Sequence, residues 1–139
     1  MTRQPSYKMS MTRIRLPYDT EVFLLEDNPE RVAWFKSKVP DLTVCYHAAS
    51  AVAVLKQMRE RGEKFDYYFL DHDLGGEMLK MLKSDEKSGY LVAKYLNEIG
   101  HMGHDTVIHS HNPAGVKNMK NLLPNALVIP FGGFDIEII

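Results

Sequence analysis

Three short segments of this chain concentrate side chains that can do chemistry: Glu26-Asp27, Asp71-His72-Asp73 and His109-Ser110-His111-Asn112. Carboxylates gathered at one place repel one another unless a cation or a proton lies between them. A divalent metal is the usual answer. An all-oxygen set favours Mg²⁺ or Mn²⁺, and added imidazoles move the preference toward Zn²⁺, Fe²⁺ or Mn²⁺. Glu26, Asp27, Asp71 and Asp73 are the candidate metal ligands, with Mg²⁺ or Mn²⁺ expected ahead of Zn²⁺. Histidine titrates near neutral pH and can give or take a proton. His109, His72 and His111, together with Asp71, are therefore the candidate catalytic residues. Asn28-Pro29 and Asn112-Pro113 each cap and open a helix, and such a start offers N–H groups and a positive dipole end to an anion. Asn28, Asn112 and the neighbouring Ser110 are the candidate phosphate contacts. Carboxylates, imidazoles and helix starts in one place suit a phosphate ester. The plainer readings are capping acids at Glu26-Asp27 and polar turns after the strands.

These segments need elements to bring them together. Val22-Phe23-Leu24-Leu25, with Glu21 before it, is apolar enough for a buried strand. Strands are also expected at 42–46, 66–71, 106–109 and 126–129, and helices between them. Val32, Phe35 and Val39 form the apolar stripe of the first helix, and Pro40 stops it. Ser50 is the expected cap of the second, which ends at Gly62. Ser88 caps a third through Leu91, Val92, Tyr95 and Leu96. A fourth follows Asn112-Pro113. Strands joined by crossover helices run parallel, which makes a three-layer α/β fold. In such a sheet ligands bind beyond the C-terminal strand ends, where the three reactive segments fall. Residues 74–87, with Gly75 and Gly76, read as a loop or lid. The last eight residues alternate weakly, as a final edge strand or a contact to a second copy would.

Composition narrows the function. At 139 residues, 45% hydrophobic and 25% charged, the chain is expected to be a single globular domain rather than disordered. No apolar run reaches the roughly 18–20 residues a membrane span needs. The basic residues near the start are not followed by an apolar stretch, so no signal peptide is expected. Cys45 is the sole cysteine, which excludes an intrachain disulfide or thiolate zinc site and fits a cytoplasmic setting. A net charge of −1 gives no general pull toward nucleic acid. Residues 1–18 carry Arg3, Lys8, Arg13 and Arg15 ahead of the first acid, Asp19. They read as a basic N-terminal tail preceding a domain over 19–139.

Over roughly residues 20–132 the pattern resembles a response-regulator receiver domain. Glu26-Asp27 stands where receivers keep metal-binding acids, and Asp71 where they keep the phospho-accepting aspartate. His109 stands near the receivers' small hydroxyl residue. Ile129-Pro130-Phe131 has no lysine where receivers keep the one that neutralises the acyl phosphate. The strings Leu25-Glu26-Asp27-Asn28-Pro29-Glu30-Arg31, Leu70-Asp71-His72-Asp73-Leu74-Gly75, Gly89-Tyr90 and His109-Ser110-His111-Asn112-Pro113-Ala114-Gly115 resemble the narrower cyclic-phosphate-processing receiver-like family. That resemblance implies a flavodoxin-like, receiver-like three-layer sandwich with a five-stranded parallel sheet in the order 2-1-3-4-5. By position it implies site roles for Asp27, Asp71, His72, Asp73, His109 and Asn112, with His111 a further member.

The leading expectation is a metal-assisted phosphoesterase for a cyclic nucleotide or a 2′,3′-cyclic phosphate RNA end. His109 would be its acid or base, and alanine there would leave the fold intact. The missing strand-five lysine motivates an alternative, a non-catalytic receiver-like module that binds a protein. An acid after one strand and Asp71-x-Asp73 after another also fit a toprim-like nuclease or nucleotidyl-transfer site, in which the histidines have no clear task. No membrane partner is expected, and a homodimer would form through the C-terminal stretch.

Overall fold

A computed structural model describes residues 11–74 and 88–139. The five expected strands form one parallel sheet. They are β2 (Val22–Leu25), β3 (Leu42–Cys45), β4 (Tyr67–Leu70), β5 (Thr106–Ile108) and β6 (Leu127–Val128), and their spatial order is β3-β2-β4-β5-β6. That is the 2-1-3-4-5 order of a flavodoxin-like receiver. Four helices among the described residues connect and cover it: α1 (Pro29–Lys38), α2 (Ala48–Glu60), α3 (Gly89–Glu98) and α4 (Pro113–Leu122).

The alternation in β2 shows how the core is divided. All four residues are buried, because a central strand has both faces covered. Phe23 and Leu25 join Leu55, Tyr68, Leu96, Ile108 and Met119 on the side of α2, α3 and α4. Val22 and Leu24 join Val32, Phe35, Phe69 and Val107 on the side of α1. Phe35 is the hub there, with ring centroids 5.1 Å from Phe69 and 5.6 Å from His109.

Several expectations need correction. Residues 12–16 are not a solvated tail. They form β1 (Thr12–Leu16), which pairs in parallel with β7 (Phe134–Ile138) in a separate two-stranded sheet. Ile14, Leu16, Phe134 and Ile136 are buried in the α1-side core, so the hydrophobic gain outweighs the basic character of Arg13 and Arg15. The C-terminal stretch is thus a strand, and one of its edges is already paired within the chain. Ser50 does not cap α2, which starts at Ala48; the Ser50 hydroxyl donates to the His47 carbonyl instead. Asn28, Ser88 and Asn112 do cap their helices through side-chain oxygens. The expected 74–87 lid lies outside the described residues except for Leu74, which is buried. No described helix is long and apolar enough to cross a membrane.

Candidate active site

Strand register brings the reactive groups together. Leu25 is level with Leu70, and Leu70 with Ile108. The next residue on each strand is Glu26, Asp71 and His109. These are lateral neighbours, since adjacent strands lie about 4.8 Å apart. The ladder continues through them: Asp71 N–H donates to the Leu25 carbonyl and His109 N–H to the Leu70 carbonyl. By the two-residue period all three side chains fall on the face of Val22, Phe69 and Val107, above Phe35.

Glu26 is 1% exposed and His109 0%. His109 Nε2 lies 2.9 Å from Glu26 Oε1. The other Glu26 oxygen accepts the Asp27 and Asn28 N–H groups at 3.1 and 3.0 Å, which curls the chain into α1. Burial alone would raise the pKa of Glu26. The His109 hydrogen bond and charge, the Asn28 amide and Arg31 outweigh it and hold the carboxyl below its ordinary range. Asp71 goes the other way. Burial pushes it up to about 6 and the Glu26 charge adds, against His109, the His72 amide and Arg31.

Above this pair opens a cavity of about 360 Å³. Its walls contain Glu26, Asp27, Asn28, Asp71, Asp73, Ser110 and His111, so seven of the ten candidate residues meet in one place. His109 is not in the wall; it seals the floor under Glu26. His72 is also outside. Its ring packs where a Cβ at Gly115 would sit, and its Nδ1 lies 2.9 Å from Asp73 Oδ1. Asn112 supports the site from α4. Its amide donates to the same Asp73 oxygen at 3.1 Å while its carbonyl oxygen caps α4 by accepting Gly115 N–H. Ser110 accepts Asn112 N–H at 3.0 Å. His111 donates from Nε2 to the Phe131 carbonyl at 3.0 Å, which leaves the lone pair of a neutral ring on Nδ1.

One residue that the sequence reading did not select also lines the cavity: Arg31. Its guanidinium carbon stands 5.0 Å above the Phe131 ring, and Nη1 is 3.7 Å from Glu26 Oε1. The signal was present. Arg31 is three residues after the Asn28 cap, on the same helical face, and that face looks back at the strand ends.

Two of the candidate metal ligands, Glu26 and Asp71, lie close together beside His109. Among the described residues, Glu26, Asp71 and His109 are the group whose potential ligand atoms all lie within 4.8 Å of one another. Asp27 and Asp73 line the cavity outside that group. Two carboxylates and an imidazole fit a divalent cation. The nitrogen donor suits Mn²⁺ better than Mg²⁺, which prefers oxygen and water.

Among solved structures the chain is similar to the phosphorylated cyanobacterial phytochrome response regulator RcpA. The TM-score is 0.60 at 19% identity, covering 80% of this chain and 79% of that one; the likeness shows the receiver fold. No curated protein matches the chain. The profile of the cyclic-phosphate processing receiver domain matches residues 22–125, from the start of β2 to the turn before β6. With three-quarters of its length matched and the three reactive strand ends inside the match, the chain belongs to the cyclic-phosphate processing receiver domain family.

Proposed function

We propose that the chain is a metal-assisted phosphoesterase that opens a cyclic phosphate, on a cyclic nucleotide or at a 2′,3′-cyclic RNA end. The observation that carries this reading is the convergence in one open cavity of Asp27, Asp71, Asp73, Ser110 and His111 over the sealed Glu26–His109 pair. Glu26, Asp71 and His109 would hold the cation, which would polarise a phosphoryl oxygen and acidify a bound water.

The chain's own groups have separable tasks. His111 is the candidate histidine in the cavity wall, so it is the one placed to exchange a proton with a substrate. Its bond to the Phe131 carbonyl fixes the ring. His109, without contact to solvent, meets no substrate; it pairs with Glu26 beside the cation position. His72 and Asn112 converge on one oxygen of Asp73 and hold that carboxylate in place. The Ser110 hydroxyl, tied to the Asn112 amide, adds a polar contact. Membership in a receiver family sets the toprim-like reading aside.

The test is metal content and turnover in one preparation purified without a chelating tag. The expected result is ring opening of 2′,3′-cyclic nucleotides with Mn²⁺ or Mg²⁺, lost in Asp71→Ala and slowed in His111→Ala. A folded preparation that binds no metal and opens no ring under any of Mg²⁺, Mn²⁺ or Zn²⁺ would leave the non-catalytic receiver-like module as the reading.

A further inference from the structure

We propose that Arg31, stacked on Phe131, is the phosphoryl-binding residue of the cavity. This deepens the phosphoester reading above and rests on it. The cavity wall holds the carboxylates Glu26, Asp27, Asp71 and Asp73, and among the described residues Arg31 is the one lysine or arginine that lines it. A phosphoryl group entering beside four carboxylates is repelled unless positive charge meets it. Among the described residues Arg31 is the permanent cation there, since guanidinium does not deprotonate in proteins.

Its geometry leaves it ready to bind. Among the described residues the guanidinium has two contacts, neither of them a hydrogen bond. One is the face of Phe131 at 5.0 Å. The other is the Glu26 carboxylate at 3.7 Å, beyond hydrogen-bond length but within Coulomb reach. The side chain is 28% exposed, so its donors are accessible while its stem is restrained. Phe131 is itself braced. Trp34 meets its ring edge-on at 5.3 Å, its N–H donates to the His109 carbonyl, and its carbonyl accepts from His111. The stack therefore fixes Arg31 relative to the floor of the site. A planar fork held in this way matches two phosphoryl oxygens, which a lysine cannot do.

The experiment titrates inorganic phosphate into the full chain, without metal and with Mn²⁺, and follows 2′,3′-cyclic AMP turnover in parallel. Arg31→Ala should weaken phosphate binding about tenfold or more. Its Mn²⁺ affinity and melting temperature should stay near wild type, and KM should rise more than kcat falls. Arg31→Lys should not restore binding. Phe131→Leu should weaken it severalfold, by loss of the stack. The proposal is overturned if wild type takes up no phosphate at millimolar concentration, or if Arg31→Ala binds it as wild type does. It is also overturned if Mn²⁺ affinity falls in step with phosphate, which would make Arg31 only a structural partner of Glu26. Phosphate bound through Arg31 without any turnover would sink the esterase reading and keep this one. Turnover with an unchanged KM in Arg31→Ala would do the reverse.

Discussion

His109 Nε2 and Glu26 Oε1 are 2.9 Å apart, one at the end of β5 and the other at the end of β2, and both are closed to solvent. The pair spans β4, which lies between them in the sheet. It locks three strand ends at the point where the cavity begins. Removing one partner of a buried, hydrogen-bonded pair leaves the other unsatisfied in the interior, at a cost of up to roughly 3–5 kcal/mol. His109→Ala should therefore lower stability by that order in urea denaturation, and Glu26→Ala likewise. The same measurement tests the expectation that alanine at His109 leaves the fold intact. The double variant Glu26→Leu/His109→Leu should recover most of the loss. If His109→Ala unfolds at the wild-type midpoint, the pair contributes nothing.

Asp71 predicts a pH dependence. Its carboxyl is pushed from 3.8 up to about 6, chiefly by burial. The folded chain therefore binds a proton that the unfolded chain releases between those values. The contribution is fully present below about pH 4 and is lost as pH rises through about 6, a change of roughly 3 kcal/mol. Glu26, held low, works in the opposite direction at acid pH, so the difference between wild type and Asp71→Asn isolates the Asp71 effect. Asp71→Asn should gain stability over wild type at about pH 7.5 and lose most of that gain at about pH 5. A pH-independent gap between the two would show that Asp71 is not raised in the fold.

Much of this architecture was legible in the residues. The apolar runs 22–25, 67–70 and 106–108 and the caps Asn28, Ser88 and Asn112 sufficed for a parallel sheet with crossover helices, whereas its strand order was implied by the family resemblance. The gathering of acids and histidines at strand ends followed from topology alone. What the sequence could not separate was wall from floor. His109 and His111 differ by two residues, yet one is sealed and the other exposed. That difference depends on Phe35 packing over the His109 ring, a long-range contact with no local signature. Thr12–Leu16 was missed for a related reason. Its Ile14 and Leu16 alternate with arginines as an edge strand's residues do, but the partner that makes them a strand is more than a hundred residues away.

Gly115 tests the support under Asp73. A Cβ there would overlap the His72 ring, and that ring holds Asp73 through Nδ1. Gly115→Ala must push the imidazole out of its place, although alanine by itself suits a helix better than glycine. The expected result is a loss of about 1–3 kcal/mol, as for other overpacked sites. A lower turnover should accompany it, because Asp73 lines the cavity and shifts. A gain in melting temperature with unchanged activity would show that His72 has room to move and that its bond to Asp73 is dispensable.

Ile14 decides whether β1 belongs to the folded unit. It is level with Ile136 of β7 in the parallel pair, and both side chains are buried against the α1-side core with Phe69 and Phe134. A residue in a solvated tail changes stability by less than about 0.5 kcal/mol on truncation, whereas a buried isoleucine costs about 2–5 kcal/mol. Ile14→Ala should fall in the second range by urea denaturation, and Arg13→Ala, exposed on the same strand, in the first. The damage should also reach the site, because Phe134 packs on Phe35 at 6.2 Å and Phe35 on the His109 ring at 5.6 Å. Loosening of β7 therefore removes packing from beneath the Glu26–His109 pair. If Ile14→Ala matches Arg13→Ala, β1 rests on the domain without stabilising it, and the site is independent of residues 12–16.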